Sequence, residues 1–282
     1  MATTSLRIVF FGEDSFSGVI LNSLIQAGHQ VKLVVTPYYE NLIYKKLEHI
    51  CIEKRIEFAR CKKINSEETC KLVEKAQPDL CVISHFERLI KQPLLGIPKM
   101  GFINLHPSLL PEYRGMSPQH WPIINGDKEA GITIHYVDEG TDTGNIILQK
   151  RFSLQGNEYV KDLQKIWMKH YQTVMVEAID KIIAGEPTIS QEGMTGSYHG
   201  KLTDDDCQIA PNGTAQQAYN LVRGVGLPYH GAQIGNIIIL KAHLDGNVKV
   251  ANTHNGVHLD TLDGDYIVFN DGILFIDKYQ KI

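Results

Sequence analysis

Residues 101–147 read GFINLHPSLLPEYRGMSPQHWPIINGDKEAGITIHYVDEGTDTGNII. A short apolar strand, 102–105, carries Asn104, and His106 follows it directly. A loop containing Pro107, Pro111 and Pro118 leads to a second strand, 132–137, which runs into an acidic, glycine-bearing loop with Asp138, Glu139 and Asp142. Asn, His and Asp are thus delivered by two strand ends, a placement that belongs to the carboxyl edge of an open α/β sheet. Upstream, apolar strand patterns at 7–11, 30–36, 57–59 and 79–84 alternate with helical patterns at 16–27, 42–54 and 66–75. That alternation predicts a doubly wound (Rossmann-like), mostly parallel sheet.

The three polar residues suit one chemistry. A neutral imidazole accepts and returns a proton near neutral pH. An asparagine amide donates to an oxygen that turns negative in a tetrahedral intermediate, and an aspartate orients the imidazole or stabilises its charged form. No G-x-S-x-G elbow surrounds Ser108, so direct acyl transfer to a bound nucleophile fits better than a covalent enzyme intermediate. On composition alone the plainer reading is favoured, with His106 and Asp142 as loop residues satisfied by backbone, since such triples arise by chance.

The run Asn104-Leu105-His106-Pro107-Ser108-Leu109-Leu110-Pro111, followed by Tyr113-Arg114-Gly115 and by Asp142-Thr143-Gly144, resembles the signature of the folate-dependent formyltransferases. This family moves a formyl group from N10-formyltetrahydrofolate to an amine. The resemblance implies Asn104, His106 and Asp142 as catalytic residues and N10-formyltetrahydrofolate as co-substrate, without a metal. It implies that the loop after the fourth strand lines a folate pocket with Phe86, Arg88, Leu89 and Ile90, and that Asp138, Gly140 and Thr141 add folate contacts. The acceptor side is expected to include Phe16, Ser108, Tyr113, Arg114, Gly115 and Ser117. Phe16 is readable instead as packing for the first helix, Phe86, Leu89 and Ile90 as the core face of a helix, and Arg114 as a solvated surface group.

The bulk properties narrow the partners. The chain has 282 residues, 43% hydrophobic and 21% charged, with a net charge of −4, ordinary values for a globular protein and no large cationic field for nucleic acid. Five cysteines without C-x-x-C spacing argue for reduced thiols in a cytoplasm rather than disulfides or zinc. The start, MATTSLRIVFFG, lacks the plan of a signal peptide, and no apolar run approaches membrane-spanning length. The Asp138–Asp142 spacing hints at a calcium or magnesium loop, but the EF-hand pattern is absent.

Further expectations follow along the chain. Residues 114–124 read as a helix with Pro118 in its first turn, and His135 is placed facing away from the site by strand alternation. Residues 159–184 read as one long helix, 187–200 as a linker and 204–206 as an acidic turn. A helix at 214–223 precedes short β runs at 236–240, 248–251, 266–269 and 273–276, so the chain is expected to hold a catalytic domain, 1–190, and a linker with a small C-terminal β-rich domain, 191–282. Lys201-Leu202, then Arg223, then Pro228-Tyr229 and Gly231-Ala232 resemble the start of the family's C-terminal region, especially that of its nucleotide-sugar branch. The place where tRNA-acting relatives carry a basic insertion reads Pro37-Tyr38-Tyr39-Glu40-Asn41. The expected acceptor is therefore a nucleotide-linked amino sugar, with methionyl-tRNA as the alternative acceptor and a hydrolase or a non-enzymatic folate-binding module as other readings. Homodimerisation rests on family analogy alone.

Overall fold

β-Rich apolar segments and capped amphipathic segments alternate along the first half of the chain, and the computed structural model, which describes residues 4–39, 45–245, 255–261 and 264–282, turns them into a strand–helix succession. In order these are β1 (Arg7–Gly12), α1 (Ser15–Gln26), β2 (Gln30–Pro37), α2 (Lys45–Lys54), β3 (Glu57–Cys61), α3 (Glu67–Ala76), β4 (Leu80–Ser84), β5 (Phe102–His106), β6 (Arg114–Gly115), α4 (Trp121–Asn125), β7 (Glu129–Tyr136), β8 (Ile146–Ser153), α5 (Val160–Tyr171), α6 (Val174–Ile183), β9 (Tyr198–His199), α7 (Ala215–Val225), β10 (Ala232–Ile234), β11 (Ile237–Leu244), β12 (Gly256–Thr261), β13 (Gly264–Phe269) and β14 (Gly272–Lys281). The first three residues expected in the second helix, 42–44, and the β run 248–251 lie outside the described residues.

Two compact units divide the chain: Met1–Arg114 with Gly131–Arg151 and Trp167–Tyr198, and Gly115–Ala130 with Phe152–Ile166 and His199–Ile282. The first is built on a seven-stranded sheet of order β3-β2-β1-β4-β5-β7-β8. β1 pairs parallel with β2 and β4, and β4 with β5, while β7 runs antiparallel to β5. The doubly wound, mostly parallel sheet is therefore as expected. All five residues of β4 are buried, as strands covered on both faces must be. Val9, Phe11, Leu33, Val35, Cys81, Ile83 and Phe102 share one core layer, each apolar side chain contributing roughly 1.5–3 kcal/mol by leaving water.

Local signals set the helix starts. Asp14 accepts from Ser17 N at 2.9 Å and the Ser17 hydroxyl bonds back to Asp14 N, a reciprocal box that fixes the entry to α1. Ser66 caps α3, and Thr214 caps α7 with Gln217 closing the box.

The second unit carries the C-terminal antiparallel sheet, of order β10-β11-β14-β13-β12. Val222 and Val225 of α7 pack with Ile239, Ile267, Phe269 and Leu274.

Three expectations needed correction. The long helix 159–184 is two helices, α5 and α6, because Thr173 leaves the helical region at φ −130° and its hydroxyl bonds Glu177. The helix placed at 114–124 begins only at Trp121, since Ser117 holds φ +57° and the chain first passes through β6. Residues 85–90, one reading of which was a helix, form an irregular loop. All five cysteines are free and buried. No helix among the described residues is long and apolar enough to cross a membrane.

Candidate active site

Alternation along β5 puts Asn104 and His106 on the same face of the sheet. Asn104 stands opposite His135 of the antiparallel neighbour β7. Paired residues of adjacent strands share a face, so His135 turns into the site. This corrects the expectation that it faces away, which followed alternation within one strand and ignored the register between two. The loop after β7 then returns Asp142, at φ +54°.

Four side chains meet here. The Asn104 amide donates to His135 Nε2 at 3.2 Å and reaches Asp142 Oδ1 at 3.5 Å. His106 Nδ1 lies 3.5 Å from Asp142 Oδ2, and His135 Nε2 lies 3.5 Å from Asp142 Oδ1. The other nitrogen of each ring donates to a carbonyl: His106 Nε2 to Tyr113 O at 2.8 Å, His135 Nδ1 to Tyr136 O at 2.7 Å. Those carbonyls fix the tautomers, because a carbonyl only accepts. In the neutral state His106 therefore presents a bare Nδ1 toward Asp142.

His106 is 4% exposed. Burial pushes its pKa below the ordinary imidazole value, the Asp142 carboxylate opposes that shift, and the neighbouring His135 adds to it. A proton arriving at Nδ1 would create an imidazolium facing a carboxylate. Burial thus disfavours the charged ring, while the Asp142 carboxylate is placed to face any charge that a proton at Nδ1 would bring.

The Asp142 loop is tied down by itself and by a distant segment. Asp138 Oδ1 accepts from Gly140 N at 3.1 Å and Thr143 Oγ1 at 2.7 Å. Gly144 passes so close to Tyr136 that a Cβ would sit 1.9 Å from its carbonyl oxygen. The Gln191 amide, from the segment read as a linker, donates to Asp142 O at 3.0 Å and Gly144 O at 2.7 Å, and its oxygen accepts from Arg114 Nη2 at 2.8 Å. No motif marks Gln191. Its one signal in the sequence is a long amide in a stretch otherwise free of strand or helix patterning.

The strand order reverses between β1 and β4, and the crevice at that reversal is where open α/β sheets bind ligands. Beyond β1, buried Glu13 accepts from Glu87 N at 2.6 Å and from the Tyr39 hydroxyl at 2.5 Å, holding the loop after β4 in place. Burial, moderated by those two donors, raises the Glu13 pKa. Phe16 stacks on His85 with centroids 5.2 Å apart. His85, at φ +48°, bonds the Tyr171 hydroxyl at 3.1 Å and lies 3.5 Å from Asp14. Phe86 packs edge-on against Phe11 and Ile90 is buried in the same core layer, whereas Leu89 is exposed. Exposed Arg88 lies over the Tyr39 ring.

The remaining expected residues occupy varied places. Ser108 is fully buried and its hydroxyl donates to Glu112 O at 2.6 Å. Tyr113 is buried and Arg114 half-buried in the first unit, while Gly115 and Ser117 belong to the second, where the Ser117 hydroxyl accepts from Leu202 N. Asp138 and Gly140 are exposed and Thr141 half-buried. Among the described residues no group of three or more His, Cys, Asp or Glu could hold a metal ion.

Residues 6–179 match the family model described as formyl transferase. The methionyl-tRNA formyltransferase of Thermodesulfovibrio yellowstonii is 33% identical over 78% of this chain and 73% of its own length. The fold also aligns with the N-formyltransferase of Helicobacter canadensis, solved with folinic acid and dTDP-3-aminofucose, at TM-score 0.78 and 21% identity over 98% of this chain and all of that one. Glycinamide ribonucleotide transformylase 1 of Symbiobacterium toebii aligns at TM-score 0.56 and 25% identity, over 64% of this chain and 89% of that one.

Proposed function

The chain belongs to the formyl transferase family, and from that premise we propose that it transfers a formyl group from N10-formyltetrahydrofolate to the amine of a nucleotide-linked amino sugar. The convergence of Asn104 and His106 on Asp142, each 3.5 Å from one of its carboxylate oxygens, is the observation that supports formyl transfer. The neutral amine attacks the formyl carbon and the carbonyl oxygen takes up negative charge. Asn104 donates to that oxygen. The proton lost by the amine passes to His106 Nδ1, where the Asp142 carboxylate stabilises it, and is returned to N10 as the carbon–N10 bond breaks. The loop from His85 to Ile90, held by Glu13, lines the folate side of the cleft, together with the loop bearing Asp138, Gly140 and Thr141. Phe16, Ser108, Tyr113 and Arg114 of the first unit serve the acceptor.

The net charge of −4 supports a small acceptor over a polyanion. Methionyl-tRNA is the second reading, favoured by the activity given to the curated relative at 33% identity. Turnover of N10-formyltetrahydrofolate against dTDP-linked amino sugars, methionyl-tRNA and no acceptor decides between them. Turnover with an amino sugar only, lost in Asn104→Ala and His106→Ala, is the expected result. Turnover with tRNA only overturns the acceptor, and turnover without any acceptor makes the chain a hydrolase.

A further inference from the structure

The bonds of Gln191 close a circuit through the site. His106 Nε2 donates to Tyr113 O, and Tyr113 is bonded covalently to Arg114. Arg114 donates to Gln191, Gln191 donates to Asp142 O and Gly144 O, and the Asp142 carboxylate faces His106 Nδ1. Gln191 is 4% exposed, so its polar atoms depend on these partners. Its orientation is unambiguous: a flipped amide would set its oxygen against two carbonyls and its NH2 against a guanidinium. The amide thus spans the two chain segments that bear the histidine's backbone partner and the aspartate.

We infer that Gln191 is a positioning residue, which holds the Asp142 loop at the separation where its carboxylate meets both His106 and His135. The inference rests on the proposed catalytic role of His106 and Asp142. It goes beyond the family signature, since Gln191 lies outside the matched residues 6–179. A carboxylate let go by this clamp would recede from His106, whose other charged or titratable neighbours are His135 on β7 and His85 after β4.

Gln191→Met and Gln191→Leu test it. Methionine keeps the volume and removes every bond. Leucine removes the same bonds with a branched side chain, and neither substitution adds a charge of its own. The readouts are the His106 ring titration by long-range 1H–15N NMR, and the pH profile of kcat with N10-formyltetrahydrofolate and whichever of dTDP-3-aminofucose or methionyl-tRNA turns over. The expected result is a His106 titration moved to lower pH by about half a pH unit, because a favourable anion has receded. The acid limb of kcat should follow it, with kcat down about tenfold and KM for the donor changed far less. An unmoved His106 titration in either folded variant overturns the clamp. A titration that moves while the kcat profile stays put supports the clamp and overturns the catalytic reading of His106 instead. If neither variant folds, Gln191→Asn, which keeps the amide and shortens its reach by one carbon, carries the same two outcomes.

Discussion

Asn104 and His135 face each other across β5 and β7, and the asparagine amide donates to the histidine's Nε2 at 3.2 Å. That bond leaves the amide little freedom to rotate, so the donor proposed for the developing oxyanion is held in place before substrate arrives. His135→Phe keeps a ring in the slot and removes the acceptor. The expected outcome is a kcat lowered about tenfold, the worth of one net hydrogen bond, with little change in donor KM. Steady-state kinetics checks it, and an unchanged kcat would show that the amide is oriented by other means.

Gly144 offers a sharper structural test. A Cβ there meets the Tyr136 carbonyl at 1.9 Å, so Gly144→Ala has to push apart β7 and the loop carrying Asp142. The expected destabilisation is about 1–3 kcal/mol, the usual scale of overpacking, together with loss of formyl transfer. Urea denaturation and turnover measured on the same preparation read both effects.

Acid should destabilise the fold before the carboxylates titrate. Burial lowers the pKa of His29, His85, His106 and His120 below 6.5. The unfolded chain then binds more protons than the folded one below pH 6.5, and stability falls as pH drops through that value. Glu13, whose pKa is raised, works in the opposite sense and stands alone against four histidines. Scanning fluorimetry should give a lower Tm at pH 5.5 than at pH 7.5, and His29→Phe should flatten the slope.

The thiols should be silent in the native protein. Burial pushes Cys51 up to about 12 and Cys207 up to about 11, and raises Cys61, Cys70 and Cys81 as well. The thiolate is the reactive form, so a thiol reagent at pH 7.5 should label all five positions only after denaturant is added. Native labelling counted by mass spectrometry checks this.

Strand–helix alternation made the sheet legible, and the Asn104–His106 and Asp142 motifs marked residues that the structure brings together at the candidate site. What escaped is what depends on partners far away in sequence. The inward turn of His135 follows from the antiparallel register of β5 with β7. Gln191 sits in a tract whose composition resembles a linker, and nothing local to Glu13 signals the bonds that Tyr39 and Glu87 make to it. The break at Thr173 was hidden because the apolar rhythm continues across it. Local patterning reports periodicity and caps, while register and long-range hydrogen bonds are settled only when the chain packs.

The 49-residue span between Gln191 and Asp142 also orders events during synthesis. A nascent chain that ends at α6 already contains Asn104, His106, His135 and Asp142, yet lacks the amide that fastens the aspartate's loop. Competence therefore arrives late, after the tail of the first unit has emerged and looped back. A fragment truncated before Gln191 would be expected to form the sheet first and to gain catalytic geometry only when the missing segment is supplied in trans, a delay measurable by stalling translation at successive lengths and scoring turnover at each.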